Sequence, residues 1–211
     1  MLALLAIALG QEPAASLQAP ATPALAAQVL AAQVAISCGN PYDLVELAFT
    51  FVVEVEGVER ARRRHLWRPR EGTLVVVDGG QTTTLSQLYP FLASEDDSEA
   101  AIRAWSAFVN DGYWLLAACK VQDPGVQLSV DEEGRLELGF GEGVGLTPGD
   151  RYWLTVDEQG RVTRWDYRLQ GGDQGGWTWE DYALYGGLLL STRRVSAEGD
   201  AVIRFEDVRA R

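Results

Sequence analysis

The chain has 211 residues and a mass of 23.1 kDa, which is enough for one domain with a sizeable core. Hydrophobic residues make up 47% of it, and all seven Trp lie between Trp67 and Trp179, as is typical of a globular domain. The formal net charge of -12 disfavours a nucleic-acid partner, because a phosphate backbone would be repelled.

The chain opens on an apolar run, Leu2–Leu9, that breaks into Gly, Gln, Pro and Ala. This is the pattern of a signal peptide, and the run is too short for a membrane-spanning helix of about 20 residues. We expect a signal segment over residues 1–16, a linker over residues 17–23 and one domain over residues 24–211. Gln11 rather than Cys follows the run, so we expect a soluble, monomeric periplasmic protein without a lipid anchor or a transmembrane span.

The chain has two cysteines, Cys38 and Cys119, and one histidine, His65. Their number and spacing exclude zinc ribbons, thioredoxin-type motifs and zinc sites built on several histidines. After export the cysteines could form a disulfide, or they could be two separately buried thiols. His65 lies in an alternating stretch and is most simply a strand residue. We therefore expect no metal, no cofactor and no enzymatic activity.

A helix is predicted close to the start of the domain. Thr22 and Pro23 supply an N-cap and a first-turn proline. Apolar residues then recur at helical spacing as far as Gly39: Leu25, Val29, Ala32 and Ile36. This pattern predicts an amphipathic helix that buries those four residues.

Strand-like alternation begins at Leu47 and continues to Val55, which predicts a long, half-buried strand. Three further strands are predicted over residues 60–67, 73–77 and 81–88, with Gly-containing turns between them. The first of these three strands, over residues 60–67, carries a basic run. Its arginines either pair with Glu54 and Glu56 across the hairpin or bind a phosphate or carboxylate head group, the candidates being Arg60, Arg62 and Arg64.

A second helix is predicted from Ser98 to a stop at Asn110-Asp111-Gly112. Its apolar positions are Ile102, Trp105, Phe108 and Val109. The acidic residues 95–97 just before it could form a metal loop, but they are better explained by the helix dipole and the free amides of the first turn.

The remaining sequence is typical of short strands and tight turns. The predicted strands cover residues 113–117, 125–130, 135–140, 152–156, 162–169, 177–183, 188–195 and 202–208. The pattern Val-Asp-Glu-x-Gly-Arg occurs at Val130–Arg135 and again at Val156–Arg161, which predicts two matching hairpins. Because eleven or twelve antiparallel strands cannot stay flat, we expect a mainly β fold: a curved, unclosed half-barrel with two helices on its concave face.

Carboxylates and aromatics alternate near the C-terminal end of the chain. Asp166, Glu180 and Asp181 lie among several Trp and Tyr, the mixture that a glycoside hydrolase or a carbohydrate-binding module uses. Asp166 and Glu180 nevertheless fall on strand positions opposite their aromatic neighbours, as in a strand with one wet and one dry face. The carbohydrate interpretation is the alternative to the apolar-ligand interpretation that follows.

Aromatic residues are concentrated on the predicted inner face of the sheet. A curved sheet that is covered by two helices leaves space, and aromatic-lined concave space binds apolar ligands. The predicted ligand-binding residues are Phe49, Phe51, Trp105, Phe108, Trp165, Tyr167 and Trp177.

The order of these elements, with Arg62-Arg-Arg-His-Leu-Trp67, Phe108-Val-Asn-Asp-Gly-Tyr-Trp-Leu-Leu116, Asp123-Pro-Gly-Val and Arg164-Trp-Asp-Tyr, resembles the LolA-like family of outer-membrane lipoprotein-sorting carriers and their relatives. The resemblance covers roughly residues 24–208. It implies an unclosed β-barrel, plugged by helices, whose apolar concave face receives lipid or lipoprotein acyl chains, and an envelope protein as a partner.

Overall fold

The computed structural model describes residues 22–86, 98–141 and 149–211, and within these ranges the fold has two α-helices, three single-turn 3-10 helices and twelve strands. The helices are α1 (Pro23–Cys38) and α2 (Glu99–Leu116). The strands are β1 (Leu47–Val55), β2 (Val58–Arg68), β3 (Thr73–Asp78), β4 (Gln81–Leu85), β5 (Val126–Val130), β6 (Leu136–Phe140), β7 (Arg151–Val156), β8 (Val162–Arg168), β9 (Gln174–Thr178), β10 (Glu180–Tyr185), β11 (Leu188–Val195) and β12 (Ala201–Ala210).

The strands form two antiparallel sheets that do not close into a barrel. One sheet has seven strands in the order β10-β11-β12-β1-β2-β3-β4, and the other has five in the order β5-β6-β7-β8-β9. Side chains of α2 contact both sheets. The prediction of a mainly β, antiparallel, unclosed fold with two helices is confirmed. The predicted signal segment and the acidic residues 95–97 lie outside the described residues.

The long strand β1 is the centre of the seven-stranded sheet, as its alternation suggests. Phe49 and Phe51 are buried on its inner side, where Phe49 lies opposite His65 and Phe51 lies opposite Phe205. Burying an aromatic side chain of this size contributes roughly 2–3 kcal/mol relative to leaving it exposed. The inner face of β1 is therefore a main part of the core.

The two matching hairpins are confirmed in detail. In the β5–β6 hairpin the Asp131 carboxylate accepts hydrogen bonds from the amide of Arg135 and from its guanidinium. In the β7–β8 hairpin Asp157 accepts the same two bonds from Arg161. The repeated glycine has a positive φ in both turns, 78° and 79°, which favours glycine there.

Helix α1 begins at the predicted cap, where the Thr22 hydroxyl accepts a hydrogen bond from the Leu25 amide. The predicted buried face is wrong: Leu25 and Ile36 are 50% and 82% exposed, and Val29 is likewise exposed. The buried positions are Ala27, Ala31, Val34 and Cys38. This face packs against β5, β6 and β11, and the chain also comes close at its edge, where a Cβ at Gly160 in the β7–β8 turn would lie 2.8 Å from the Gln33 carbonyl of α1.

A disulfide joins Cys38, the last residue of α1, to Cys119, which follows α2. It resolves the alternative left open by the sequence. The two cysteines are 81 residues apart, so the bond closes a long loop and fixes the end of α1 against the end of α2.

Helix α2 starts after Ser98, whose hydroxyl accepts from the Ala101 amide, but it does not stop at Asn110-Asp111-Gly112. The predicted strand over residues 113–117 is therefore wrong. The residues Asn110-Asp111-Gly112 favour a helix end locally, but tertiary contacts override that preference. The Asp111 side chain binds Arg63 and His65 on β2 and does not cap the backbone. Gly112 packs beside the Phe108 ring.

The strand predicted over residues 177–183 is two strands. β9 ends at Thr178 in the five-stranded sheet, and β10 begins at Glu180 in the seven-stranded sheet. Trp179 stands between them, and its amide donates to the Thr163 carbonyl. The chain therefore crosses from one sheet to the other at a buried tryptophan.

Candidate functional site

The interior between α2 and the two sheets contains two groups of aromatic side chains. The first aromatic cluster faces the seven-stranded sheet and consists of Phe49, Phe51, Trp67, Trp105, Phe108 and Phe205. Phe108 of α2 contacts Trp67 and Trp105 at ring distances of 5.7 and 6.2 Å. Four of the predicted site residues are brought together here.

The second aromatic cluster faces the five-stranded sheet and consists of Tyr113, Trp114, Phe140, Tyr152, Trp165, Trp177 and Trp179. Trp114 of α2 stacks on Trp165 at 4.7 Å and meets Trp177 edge-on at 5.2 Å. Two of the predicted residues, Trp165 and Trp177, belong to it. Tyr167 lies beside it, its ring over Gly175 of the next strand.

The two clusters differ in how far they are closed. In the first cluster all rings except Trp105 are buried. In the second cluster only Trp165 and Trp179 are buried, and the other five rings are half-buried. An apolar ligand would therefore find aromatic surface mainly beside the five-stranded sheet.

A buried ion cluster lies behind the first aromatic cluster. Asp111 of α2 has no exposed surface, and its carboxylate accepts two bonds of 2.7 Å from the Arg63 guanidinium and lies 2.8 Å from Nε2 of His65. Burial alone would raise the pKa of Asp111, but the hydrogen bonds and charges of Arg63 and His65 outweigh it and hold that pKa below its ordinary value. The Asp111 carboxylate is therefore satisfied, whereas Nδ1 of the buried His65 has no hydrogen-bond partner among the described residues.

Sequence reasoning missed this centre because it assigned Asp111 to a helix stop. The spacing of α2 carried the signal, since Ala104, Phe108, Asp111 and Leu115 fall on one helical face and are all buried. A carboxylate on that face needs partners, and the basic, alternating strand β2 supplies them.

A second buried charge, Arg194 of β11, has a different environment. Its guanidinium donates to the carbonyls of Ser191, Arg193 and Trp114, and it stacks between the rings of Trp179 and Phe205 at 3.7 and 5.6 Å. No carboxylate of the described residues bonds it. Burial lowers the pKa of Arg194 to about 9, so the side chain stays charged at neutral pH.

The arginines proposed to bind a head group lie away from α2. Arg62 pairs with Glu59 and Glu206, both at 2.8 Å, and Arg60 is exposed. Arg64 borders a half-open depression of about 410 Å³ that also contains Thr50, Asp207 and Arg209. The assignment of these arginines to a cargo head group stays a prediction.

The predicted pairing of the basic run with Glu54 and Glu56 is wrong. Glu54 pairs with Arg204 of β12 at 2.8 Å. The cause is register: Glu54 of β1 lies opposite Glu59 of β2, so the arginines of β2 are not its cross-strand neighbours.

The carboxylates of the carbohydrate alternative are separated and neutralised. Asp166 lies on β8 and pairs with Arg164 and Arg135 at 2.6 and 3.3 Å. Glu180 lies on β10 of the other sheet and pairs with Arg193. Asp181 is exposed. Two acids of a glycosidase must flank one bond, and this placement does not bring a pair of free carboxylates together.

A narrow slit of about 90 Å³ separates the N-terminal half of α2 from β3 and β4. Its walls are Val76, Asp78, Gln81 and Thr83 on the strands and Ala100, Arg103, Ala104 and Ala107 on the helix. Within the described ranges no group of His, Cys, Asp and Glu is arranged to hold a metal ion. In the same part of the chain, no helix has the length and apolarity needed to cross a membrane.

Comparison with solved structures shows what kind of fold this is. A LolA superfamily protein from Nitrosomonas europaea superposes with a TM-score of 0.50 at 12% identity, over 88% of this chain and 93% of the other. Because the identity is so low, the likeness speaks for the fold alone. The protein has a LolA-like fold, as the sequence resemblance implied.

Two further structures are similar at 12% identity. A protein of the DUF1329 family from Desulfovibrio piger has a TM-score of 0.46 over 89% of this chain and 92% of its own. An outer membrane lipoprotein-sorting protein domain from Vibrio parahaemolyticus has a TM-score of 0.41 over 88% and 91%. Neither a family model nor a curated protein matches this chain.

Proposed function

We propose that this protein is a periplasmic carrier or binding protein for apolar cargo, lipid or lipoprotein acyl chains, and that it catalyses no reaction. The observation that carries the proposal is the second aromatic cluster, in which five of the seven rings pack against the core yet remain half-buried. Large aromatic surface that a fold leaves uncovered in its interior marks a ligand site. The binding residues proposed are Trp165, Tyr167 and Trp177 of the predicted set together with Tyr113 and Trp114, while the assignment of Phe49, Phe51, Trp105 and Phe108 to ligand binding stays a prediction.

The energetics favour an alkyl chain as the ligand. Each methylene that leaves water for an apolar environment contributes about 0.8 kcal/mol, so a chain of twelve carbons can bind even after its ordering cost.

The disulfide supports a periplasmic location. Bonds such as Cys38–Cys119 persist in oxidising compartments, including the bacterial periplasm, and are rare in the cytosol. The apolar run Leu2–Leu9 agrees with export. We propose that the protein acts as a monomer and passes its cargo to a partner in the envelope.

The test is competition of fatty acids with a fluorescent fatty-acid probe on delipidated protein. Trp177→Glu should abolish probe binding while the protein stays folded, because this half-buried ring lines the proposed site. Trp153→Glu is the matched control, because Trp153 lies opposite Asp166, with its ring 6.0 Å from the Arg135 guanidinium, and away from the interior. This variant should bind the probe as the wild type does. Absence of probe binding by the delipidated wild type would overturn the proposal.

A further inference from the structure

A stack of flat side chains crosses the interior from α2 to β12. Its members are Trp114, Trp165, Trp179, Arg194 and Phe205. The successive distances are 4.7, 5.8, 3.7 and 5.6 Å. The stack lies where the chain passes from one sheet to the other, so it links the two aromatic clusters.

Three hydrogen-bond donors in this stack are buried and have no acceptor among the residues that the structure describes. They are the indole Nε1 of Trp165, the indole Nε1 of Trp179 and Nε of Arg194. Each residue is at most 4% exposed. Buried donors are almost always satisfied, because leaving one unpaired costs roughly 1–3 kcal/mol. Three such donors in one stack point to an oxygen acceptor as a ligand.

The buried positive charge of Arg194 also favours an oxygen acceptor as the ligand. A buried cation without a counter-charge is costly, and contact with two aromatic rings recovers only part of that cost. The four bonds that Arg194 does make go to carbonyl and hydroxyl oxygens through its two terminal nitrogens. A negatively charged acceptor beside Nε would complete both the hydrogen bonding and the charge balance.

We propose that Trp165, Trp179 and Arg194 bind the carboxylate of a free fatty acid whose alkyl chain lies along the half-buried rings of the second aromatic cluster. This proposal rests on the proposed function, since it names the head group of the apolar cargo. A carboxylate carries one negative charge against one arginine and offers two acceptor oxygens for three donors. A phosphate would bring up to two charges, and the carbonyl of an ester brings none.

The experiment compares three ligands of one chain length on the delipidated full chain. Dodecanoate, methyl dodecanoate and dodecanol share the alkyl part and differ in the head group. Because hydrogen bonds to a charged group are stronger than neutral ones, dodecanoate should bind about 10- to 100-fold more tightly than dodecanol. The affinities are measured by displacement of the fluorescent probe.

Two conservative variants locate the head group. Trp165→Phe and Trp179→Phe keep an aromatic ring and remove one orphaned donor each. Each should lower dodecanoate affinity about 3- to 10-fold and leave dodecanol affinity unchanged. Trp153→Phe, on the outer face of β7, should change neither. Arg194→Gln should remove the preference for dodecanoate, and the two tryptophan variants decide the matter if that variant does not fold.

The outcomes separate this proposal from the proposed function. Equal affinity for the three ligands, or a preference for dodecanoate that survives in both tryptophan variants, would overturn the carboxylate site and leave the carrier standing. Binding of methyl dodecanoate as tight as that of dodecanoate would also overturn it. If none of the three ligands binds, both proposals fail.

Discussion

Helix α2 separates two regions that have similar aromatic content and different chemistry. On the side of the seven-stranded sheet its Phe108 meets buried rings, and its Asp111 carboxylate makes three hydrogen bonds with Arg63 and His65. On the side of the five-stranded sheet its Trp114 meets half-buried rings and the unpaired donors around Arg194. In the first region a buried carboxylate pairs with the cation, and in the second no carboxylate of the described residues pairs with Arg194.

This difference separates stability from function. A buried charge that is fully paired holds helix and sheet in one arrangement, and removing one partner destabilises the fold. Donors that stay unpaired, next to aromatic surface that stays uncovered, cost stability and are typical of a ligand site. We therefore expect mutations to affect folding on one side of α2 and binding on the other.

The largest effect is expected for Asp111→Ala, which leaves Arg63 and His65 in the interior without their anion. The free energy of unfolding should fall by about 3–5 kcal/mol. Urea denaturation followed by tryptophan fluorescence measures it. Glu99→Ala, which removes the exposed pair with Arg103 on the same helix, is the control and should cost less than about 0.5 kcal/mol. Equal losses in the two variants would contradict the account.

Loss of the disulfide should have the next largest effect, because it releases the end of α1 from the end of α2. The double variant Cys38→Ser, Cys119→Ser should lose about 2–4 kcal/mol of stability in the same denaturation. Reductant should then lower the stability of the wild type and leave that of the variant unchanged. A wild type that is indifferent to reductant would argue against this bond.

The dependence of stability on acid pH should reveal the contribution of the Asp111 carboxylate, which is paired with Arg63 and His65. The folded-state pKa of Asp111 lies below its ordinary value of about 3.9, so the stability it contributes is present above that value. That stability is lost as the pH falls through the lower, folded pKa. Below about pH 4, Asp111→Asn should flatten the fall in stability by up to about 1.4 kcal/mol per pH unit.

The smallest effect on stability is expected on the open side. Trp177→Leu should change the unfolding free energy of the delipidated protein by less than about 1 kcal/mol, because that ring is half-buried. Trp67→Leu, in the closed first cluster, should cost about 3 kcal/mol through the cavity it leaves. Thermal unfolding of the two variants measures the contrast, and a larger loss at Trp177 would reverse our assignment of the open side.

Much of the fold could be predicted because its signals are local. Alternation fixed β1, the Thr22-Pro23 cap located α1, and the repeated Val-Asp-Glu-x-Gly-Arg turns gave the two hairpins. The errors came where tertiary contacts override local preference. The face that α1 buries depends on how the helix is placed against β5, β6 and β11, and helical spacing alone does not reveal that placement.

The aromatic residues of the candidate site could be predicted from the sequence, whereas its buried charged residues could not. The aromatic residues were identified because they recur on strand and helix faces. Asp111 and Arg194 were not, since each becomes meaningful only through partners far away in sequence: Arg63 and His65 for the first, and Trp114 for the second. The role of Trp179 depends on the sheet crossing, which the sequence pattern does not contain.

The central claim is that an apolar ligand binds beside the five-stranded sheet. Its most direct test follows the indole N–H signals in the NMR spectrum of the delipidated protein during titration with dodecanol, an uncharged apolar ligand. The seven tryptophans give separate signals that can be assigned by single Trp→Phe variants. We predict that the signals of Trp114, Trp165 and Trp177 shift on binding, while those of Trp67 and Trp153 stay in place. Shifts confined to Trp67 or Trp153, or no shifts at saturating ligand, would contradict an apolar site beside the five-stranded sheet.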